Sequence, residues 1–504
     1  MFNSLLNRLG HSFRMKHKST DLKDTLMWLF PAIVVSIVIP ICIGYKGFGS
    51  SILTFVTLYL SRKNRVTFYV SCLVLFFISL YIPVGINFGR ISYGYVISAL
   101  QTNTGELSEF LRGTSFAAWF LMFLAIASLY MFAKNGQDFG KKYSWLYLIA
   151  FVLINLNAYP KRMLFLTTEY VKQANAELKK LESYSQVPDD FTVVDNHQRY
   201  KNIIVVVGES VTRDYLSVYG YQHDTTPWLN HAPGYFYSNY VSSAPNTFMS
   251  LPRTLTVSDG IKTEENNNIV ALAKKAGLYT HWISNQGFVG EFDTPSTIIA
   301  KNAQHEVFFK KGDYNANNTD DMDLLKQLSS IINNKEHDRN AVFLHMIGSH
   351  PDTCERLNGF PVNIRISHQE KFNCYLATLQ KLDLFLERAV QILNQSGESY
   401  ALVYFSDHGM TVDESDRPVR HGNDARQNYN VPFFIFTSDS DKHITSDKPI
   451  SARQFISIFE WLSGFSSDKV TAHSPEQATS GNITVFDGGK LTEYQGLKNN
   501  PIIH

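Results

Sequence analysis

Hydrophobic and polar positions divide this chain into two unlike parts. Four uncharged stretches lie in the first 160 residues: Thr25–Tyr45, Thr67–Ile86, Thr114–Ala133 and Tyr143–Tyr159, of 21, 20, 20 and 17 residues. A helix needs roughly 20 apolar residues to cross the hydrocarbon core of a bilayer, so each predicts a transmembrane helix. A fifth stretch, Gly47–Leu60, has 14 residues, which by length alone fits either a span or a buried or re-entrant helix. The first stretch is longer than a signal-peptide core and is followed by no clear small-x-small site. It therefore reads as an anchor, with Pro31 and Pro40 predicting kinks.

Beyond residue 160 the pattern changes. Lys161–Ser185 mixes Lys, Glu, Leu and Ala and predicts a connecting helix along the membrane surface, ended by Val187-Pro188-Asp189-Asp190. The segment 161–200 is thus a linker, and 201–504 a separate domain. Short apolar runs then predict strands at Asn202–Val207, Tyr279–Ser284, Ala341–Met346, Tyr400–Phe405 and Phe433–Thr437. Helical stretches such as Ile269–Ala276 and Lys371–Leu393 separate them, and polar Asn315–Asp323 reads as a loop. Continuous apolar strands alternating with helices predict an α/β domain with a mostly parallel central sheet covered on both faces.

Charge sharpens this division. The 504 residues are 44% hydrophobic and 18% charged with formal net charge +1, and the mean hydropathy is −0.12. Such averages exclude a disordered chain, a collagen and a small disulfide scaffold, and by themselves describe a soluble enzyme. Split at residue 160, the charge is +9 before and −8 after. With five spans (about 25–45, 47–60, 67–86, 114–133 and 143–159), the segments 1–24, 61–66 and 134–142 carry 11 Lys and Arg, against 3 on the other side. That positive-inside bias places the N-terminus in the cytoplasm and the large domain outside. Four spans would lose the bias. The acidic outer domain gives no support to nucleic-acid binding, and an anionic ligand there would need local positive charge or a metal. Cys42 and Cys72 fall in predicted spans. Cys354 and Cys374 lie in the outer domain, close enough in sequence to pair; two free buried thiols are the alternative.

Candidate chemistry sits at predicted strand ends, where sites form in such sheets. Ile203–Val207 runs into Gly208-Glu209-Ser210, Ala401–Phe405 into Ser406-Asp407-His408-Gly409, and Val342–Leu344 into His345 and then Gly348-Ser349-His350. Glu209, Asp407 and His408 form an oxygen and nitrogen set suited to a divalent cation such as zinc. Each dipeptide alone is more often a cap or a surface pair. The stretch Ser242–Arg253 offers several hydroxyls that a metal could activate as nucleophile, or an ordinary Ser/Thr loop capping a helix. Residue chemistry does not choose among its hydroxyls. His350 and His421 are further imidazoles able to bind an anion, move a proton or hold a second metal.

Gly208-Glu209-Ser210-Val211-Thr212-Arg213-Asp214, Tyr219-Gly220-Tyr221 and Thr225-Thr226-Pro227-Trp228-Leu229 together resemble the signature of bacterial phosphoethanolamine transferases, membrane-anchored members of the alkaline phosphatase/sulfatase superfamily. The resemblance covers most of the chain. It implies five spans, a connecting helix and a periplasmic catalytic domain of sulfatase type. The family pattern Thr-x-x-Ser-x-Pro falls on Thr247, Ser250 and Pro252, which implies Thr247 as nucleophile and Glu209, Thr247, Asp407 and His408 as the shell of one zinc, with a second zinc possible. His350 and His421 resemble the family's histidines at the substrate phosphate or second metal. Asn246, Asn285 and Gln286 fall where substrate-binding groups are expected.

The implied reaction moves phosphoethanolamine from phosphatidylethanolamine through a phosphothreonine to lipid A or a core sugar of lipopolysaccharide. Its setting would be the inner membrane, and the enzyme is expected to be monomeric. Alternatives are transfer of phosphoethanolamine or phosphoglycerol to periplasmic glucan, and a non-catalytic scaffold of the same fold. The chain departs from lipid A enzymes in having a single outer cysteine pair, none beside the nucleophile where Ser243 and Ala244 stand, and Pro351 directly after His350.

Overall fold

The computed structural model describes residues 22–91, 96, 99–100, 107, 110–111, 114–139, 144–156, 158–184, 187–286, 295–309, 319–414, 418–478 and 481–504. The chain forms two compact units, Met1–Ile91 with Thr114–Leu166, and Ser92–Gly113 with Thr167–His504.

The first unit is helical: α1 (Leu22–Cys42), α2 (Phe48–Ser61), α3 (Arg65–Leu80), α4 (Ile82–Phe88), α5 (Phe116–Asn135) and α6 (Ser144–Asn155), followed by α7 (Tyr159–Tyr184). Helix α1 packs against α5 and α2, and the core they share contains Ala32, Val35, Ile39, Leu58, Ala125 and Leu129. Facing outward are Phe30, Ile37, Leu73, Phe116 and Phe123, each 48–83% exposed. A belt of this kind is costly in water and suits a hydrocarbon solvent. Asp24–Cys42 and Phe116–Asn135 are long and apolar enough to cross a membrane. Pro31 and Pro40 lie inside a helix continuous from Leu22 to Cys42. The stretch Thr67–Ile86, expected as one span, is divided at Tyr81. Pro83 stands in the first turn of α4; it lacks an N–H, and its ring clashes with the carbonyl four residues back in a continuing helix. Asn64 and Ser115 cap α3 and α5 through their side-chain oxygens.

The second unit is built on an eight-stranded sheet of β1 (Asn202–Gly208), β2 (Gly234–Tyr237), β3 (Tyr279–Ser284), β4 (His305–Phe308), β5 (Asn340–His345), β6 (Tyr400–Ser406), β7 (Phe433–Thr437) and β8 (His443–Ser446). Its order is β8-β2-β7-β6-β1-β5-β3-β4. Only β7 opposes the others, pairing antiparallel with β6 and β2. All five expected strands are present, in a mostly parallel sheet. The short β2, β4 and β8 were not foreseen; β8 and β4 are edge strands with exposed polar residues and no continuous apolar run.

Helices cover both faces. Ile203, Val205 and Val207 face α8 (Thr247–Leu255), α9 (Ile269–Lys275), α10 (Pro295–Ala300) and, later in the chain, a helix at Phe455–Ser463. Ile204 and Val206 face α11 (Met322–Asn333) and α12 (Glu370–Gln395). Successive side chains of a strand point to opposite faces, so β1 and β6 are apolar throughout because both faces are buried. The expected loop Asn315–Asp323 falls outside the described residues up to 318, and its last two positions open α11.

Cys354 and Cys374 form a disulfide across 20 residues, tying the segment after β5 to α12. Closing a loop of that length restricts the unfolded chain and contributes about 3 kcal/mol. Replacing Cys354 by Ser is expected to lower the unfolding free energy by that amount, read from the denaturant midpoint of the full chain under oxidising conditions. An unchanged midpoint would contradict it.

Candidate active site

The strands β1 and β6 pair in register through Ser406 and Gly208, so the residues that follow them, Glu209 on one and Asp407 and His408 on the other, emerge side by side. Gly208 permits this approach, because a Cβ there would lie 2.3 Å from the Tyr404 hydroxyl. Gly348, after β5, has φ of +49°, and a Cβ on it would meet the Glu209 carbonyl oxygen at 2.6 Å. Both positions therefore require glycine.

Thr247 is the first residue of α8, with Asn246 as its N-cap. Its Oγ1 donates to Glu209 Oε2 at 2.8 Å and lies 3.4 Å from His408 Nε2. The hydroxyl thus stands at the positive end of a helix, which favours negative charge on it and on a bound phosphate. His408 Nε2 is 3.2 Å from Glu209 Oε1 and 3.6 Å from Asp407 Oδ2. Asp407 is locked by its own backbone surroundings. Its Oδ1 accepts from the N–H groups of His408 at 2.7 Å and Ser210 at 3.2 Å, and its carbonyl accepts from the hydroxyls of Ser250, at 2.5 Å, and Ser242.

Glu209, Asp407 and His408 are all buried, with one ligand atom from each within 4.8 Å of the others. Burial pushes the Glu209 carboxyl up, but the charge and hydrogen bond of His408 outweigh it and hold Glu209 well below the ordinary carboxylate range. Burial, then the neighbouring Glu209 charge, pushes Asp407 up. For His408, burial acts downward and the Asp407 and Glu209 charges raise it. The set therefore favours an added positive charge. Asp407 Oδ2 is buried without a hydrogen-bond partner, which is costly unless something occupies its lone pairs. Two carboxylates, an imidazole, an adjacent hydroxyl and an orphaned carboxylate oxygen fit a divalent cation.

His421 and His350 continue the line. The His421 ring centroid is 5.1 Å from that of His408 and 5.7 Å from that of His350. Burial lowers His421 to about 3, so it is neutral at physiological pH, and its Nδ1 is buried without a partner. Gln286 donates to Glu209 Oε2 at 3.0 Å and to the Met346 carbonyl at 2.9 Å. Asn246 spends its Oδ1 on the Met249 N–H at 3.0 Å. Asn285 is engaged by Thr319 and Asp321. Thr247, Glu209, Asp407, His408, His421, His350 and Gln286 thus form one constellation, while Asn246 and Asn285 support the backbone around it. Ser210, whose hydroxyl donates to Glu209 Oε1 at 2.6 Å, was not singled out from the sequence, although it adjoins Glu209; nor was Asp321.

This sheet with a helix-borne hydroxyl beside an acidic and imidazole cluster is the sulfatase architecture. The Sulfatase family model matches residues 201–464, and the chain belongs to that family. A Haemophilus influenzae protein classed as a phosphoethanolamine transferase is 31% identical over 356 residues, covering 67% of this chain and 73% of its own. Phosphoethanolamine transferase OpgE of Escherichia coli is 34% identical over 304 residues, covering 59% and 57%, so the match spans little more than half of OpgE. Within the sulfatases, then, the chain is an enzyme of the phosphoethanolamine transferase family. The integral membrane lipooligosaccharide phosphoethanolamine transferase EptA of Neisseria meningitidis aligns over 90% of this chain and 98% of its own, with TM-score 0.62 and 17% identity. The periplasmic domain of Escherichia coli EptC, in complex with zinc, aligns over 62% and 97% with TM-score 0.53 and 21% identity. Both likenesses are of fold.

His345, at the end of β5, provides a pH test of this buried region. Burial lowers it to about 4, against a smaller upward effect from Glu209, while the unfolded chain titrates near 6.5. A depressed imidazole leaves stability whole above about pH 6.5 and removes it as pH falls toward 4, by about 3 kcal/mol in total. His345→Asn is expected to flatten the dependence of unfolding free energy on pH across that window. An equally steep curve in the variant would contradict the assignment.

Proposed function

We propose that this protein transfers phosphoethanolamine from phosphatidylethanolamine to a saccharide-bearing component of the bacterial envelope through a covalent intermediate on Thr247. The observation that carries the reading is the Thr247 hydroxyl, at the N-terminus of α8 and 2.8 Å from Glu209. In the first step Thr247 Oγ attacks phosphorus and gives up its proton. The bond from phosphorus to the glycerol oxygen breaks, and diacylglycerol leaves with a proton. In the second step an acceptor oxygen attacks the phosphothreonine and Thr247 recovers its hydroxyl. When bound to Glu209, Asp407, His408 and Thr247, zinc would supply charge that stabilises the threonine alkoxide and the phosphoryl oxygens; a second ion would fall to His421 and His350. Glu209 receives the hydrogen bond of the nucleophile, and Gln286 and Ser210 hold Glu209. His350, on the loop after β5 and 5.7 Å from His421 between ring centroids, would take the acceptor's proton.

The reading includes five spans with the N-terminus in the cytoplasm and the catalytic domain in the periplasm, an orientation that the charge bias supports. The anchor keeps the domain at the membrane that contains its donor lipid. The acceptor is lipid A or a core sugar of lipopolysaccharide. A second reading, periplasmic glucan, is favoured by the disulfide inventory: Cys354–Cys374 is the only outer pair and Cys42 and Cys72 are free, unlike the several bridges of lipid A enzymes that the resemblance implies. Thr247→Ala is expected to retain fold and bound zinc and to lose transfer by at least about a thousandfold. The test measures phosphoethanolamine on lipopolysaccharide and on glucan by mass spectrometry, in cells with and without the gene. An active Thr247→Ala enzyme would overturn the mechanism, and a glycerophosphate increment would replace the donor.

A further inference from the structure

Asp321 is a buried carboxylate that the transfer steps do not use. It occupies the N-cap position of α11, where an Asp side chain ordinarily accepts from its own helix, yet it makes no cap bond. Asp320 Oδ1 accepts from the Met322 N–H at 3.0 Å instead. Asp321 Oδ1 accepts from the Ile347 N–H at 3.0 Å and from Asn285 Nδ2 at 2.8 Å, and its Oδ2 accepts from the Gly348 N–H at 2.8 Å. Both oxygens are therefore spent on the loops that follow β5 and β3. Charge-assisted bonds of this kind are about twice as strong as neutral ones, and here they are only 7% exposed at the carboxylate residue.

The two loops carry a histidine of the constellation, His350, and the amide that bonds Glu209, Gln286. Ile347 and Gly348 lead directly into His350. Asn285 precedes Gln286, which donates to Glu209 Oε2. On the far side of His350, Arg356 Nε donates to the His350 carbonyl at 3.1 Å. Lys381 Nζ bonds the carbonyls of Arg356 and Leu357 at 2.8 and 3.0 Å and pairs with Asp320 at 2.9 Å. Neighbouring residues Asp320 and Asp321 thus hold the His350 segment from both ends, one directly and one through Lys381.

We propose that Asp321 is a positioning residue, whose carboxylate, itself held by Asn285, clamps Ile347–Gly348 and thereby sets where His350 stands relative to Thr247. What His350 does in transfer rests on the function proposed above; the clamp itself does not.

The test compares full-length wild type, Asp321→Asn, His350→Ala and the double variant in detergent with phosphatidylethanolamine as donor. Removing a group that orients a site residue typically costs tenfold or more in activity. Asp321→Asn is expected to lower kcat about tenfold with KM for the lipid little changed, and to cost less than about threefold in the His350→Ala background, because residues acting through one another are not additive. A wild-type kcat in Asp321→Asn, or an equal tenfold loss in both backgrounds, would overturn the proposal. Should Asp321→Asn fail to fold, or the wild type transfer nothing, hydrogen exchange of the wild-type chain decides. The Ile347 and Gly348 amides are expected to exchange as slowly as the core of β5, and exchange at open-loop rates would overturn the clamp. Absence of transfer with protected amides would count against the proposed function alone.

Discussion

The catalytic unit is organised around one electrostatic constraint: two carboxylates, Glu209 and Asp407, are buried against each other with a single imidazole between them. Like charges at such range cannot both be ionised in a protein interior without compensation. His408 supplies part of it, drawing Glu209 down and itself being raised. The rest is met by the neutral form of Asp407, whose carboxyl burial and Glu209 push up, or by a cation beside it; Asp407 Oδ2, buried without a hydrogen-bond partner, is where such a cation fits. Much of the surrounding structure keeps this arrangement from relaxing. Gly208 lets β1 pass beneath Tyr404, and Gly348 lets the next loop close on the Glu209 backbone. Ser242 and Ser250 pin the Asp407 carbonyl, and Gln286 and Ser210 fix the Glu209 oxygens. A constellation held this firmly costs little reorganisation when charge develops at its centre.

The strands that carry the site were legible because burial on both faces leaves a continuous apolar run inside each of β1, β5 and β6. Edge strands sent no such signal: His443–Ser446 is mostly exposed and polar, and its pairing with Gly234–Tyr237 depends on tertiary contact alone. Metal-type residues at strand ends were legible as chemistry. Thr247 was not, since a run of Ser and Thr contains no mark distinguishing the hydroxyl at the start of a helix from its neighbours; the family pattern made that choice. Asn246 and Asn285 resemble binding groups in sequence; in the structure their side chains also hold the Met249 N–H and the Thr319–Asp321 segment, because side-chain amides serve caps and loops as readily as ligands. Asp321 was hidden in a polar stretch that read as a loop, and its partners are 26, 27 and 36 residues away.

The helical unit inverts the same logic. There the exposed residues are the apolar ones, Phe30, Phe116 and Phe123 among them, and small residues such as Ala32 and Ala125 lie inside. In a hydrocarbon solvent, burial of apolar surface does not drive helices together, and close packing of small residues does more of the work. The near-neutral total charge of the chain conceals both environments, since a basic helical part and an acidic α/β part nearly cancel.

The central claim is that Thr247 becomes covalently phosphorylated by the donor lipid. Full-length protein incubated with phosphatidylethanolamine in the absence of acceptor, digested and sequenced by tandem mass spectrometry, tests it directly. The account predicts one phosphoethanolamine increment on the peptide containing Thr247, located on that residue, with diacylglycerol released in equal amount. Diacylglycerol release with an unmodified Thr247, or the increment on another residue of Ser242–Arg253, would contradict it.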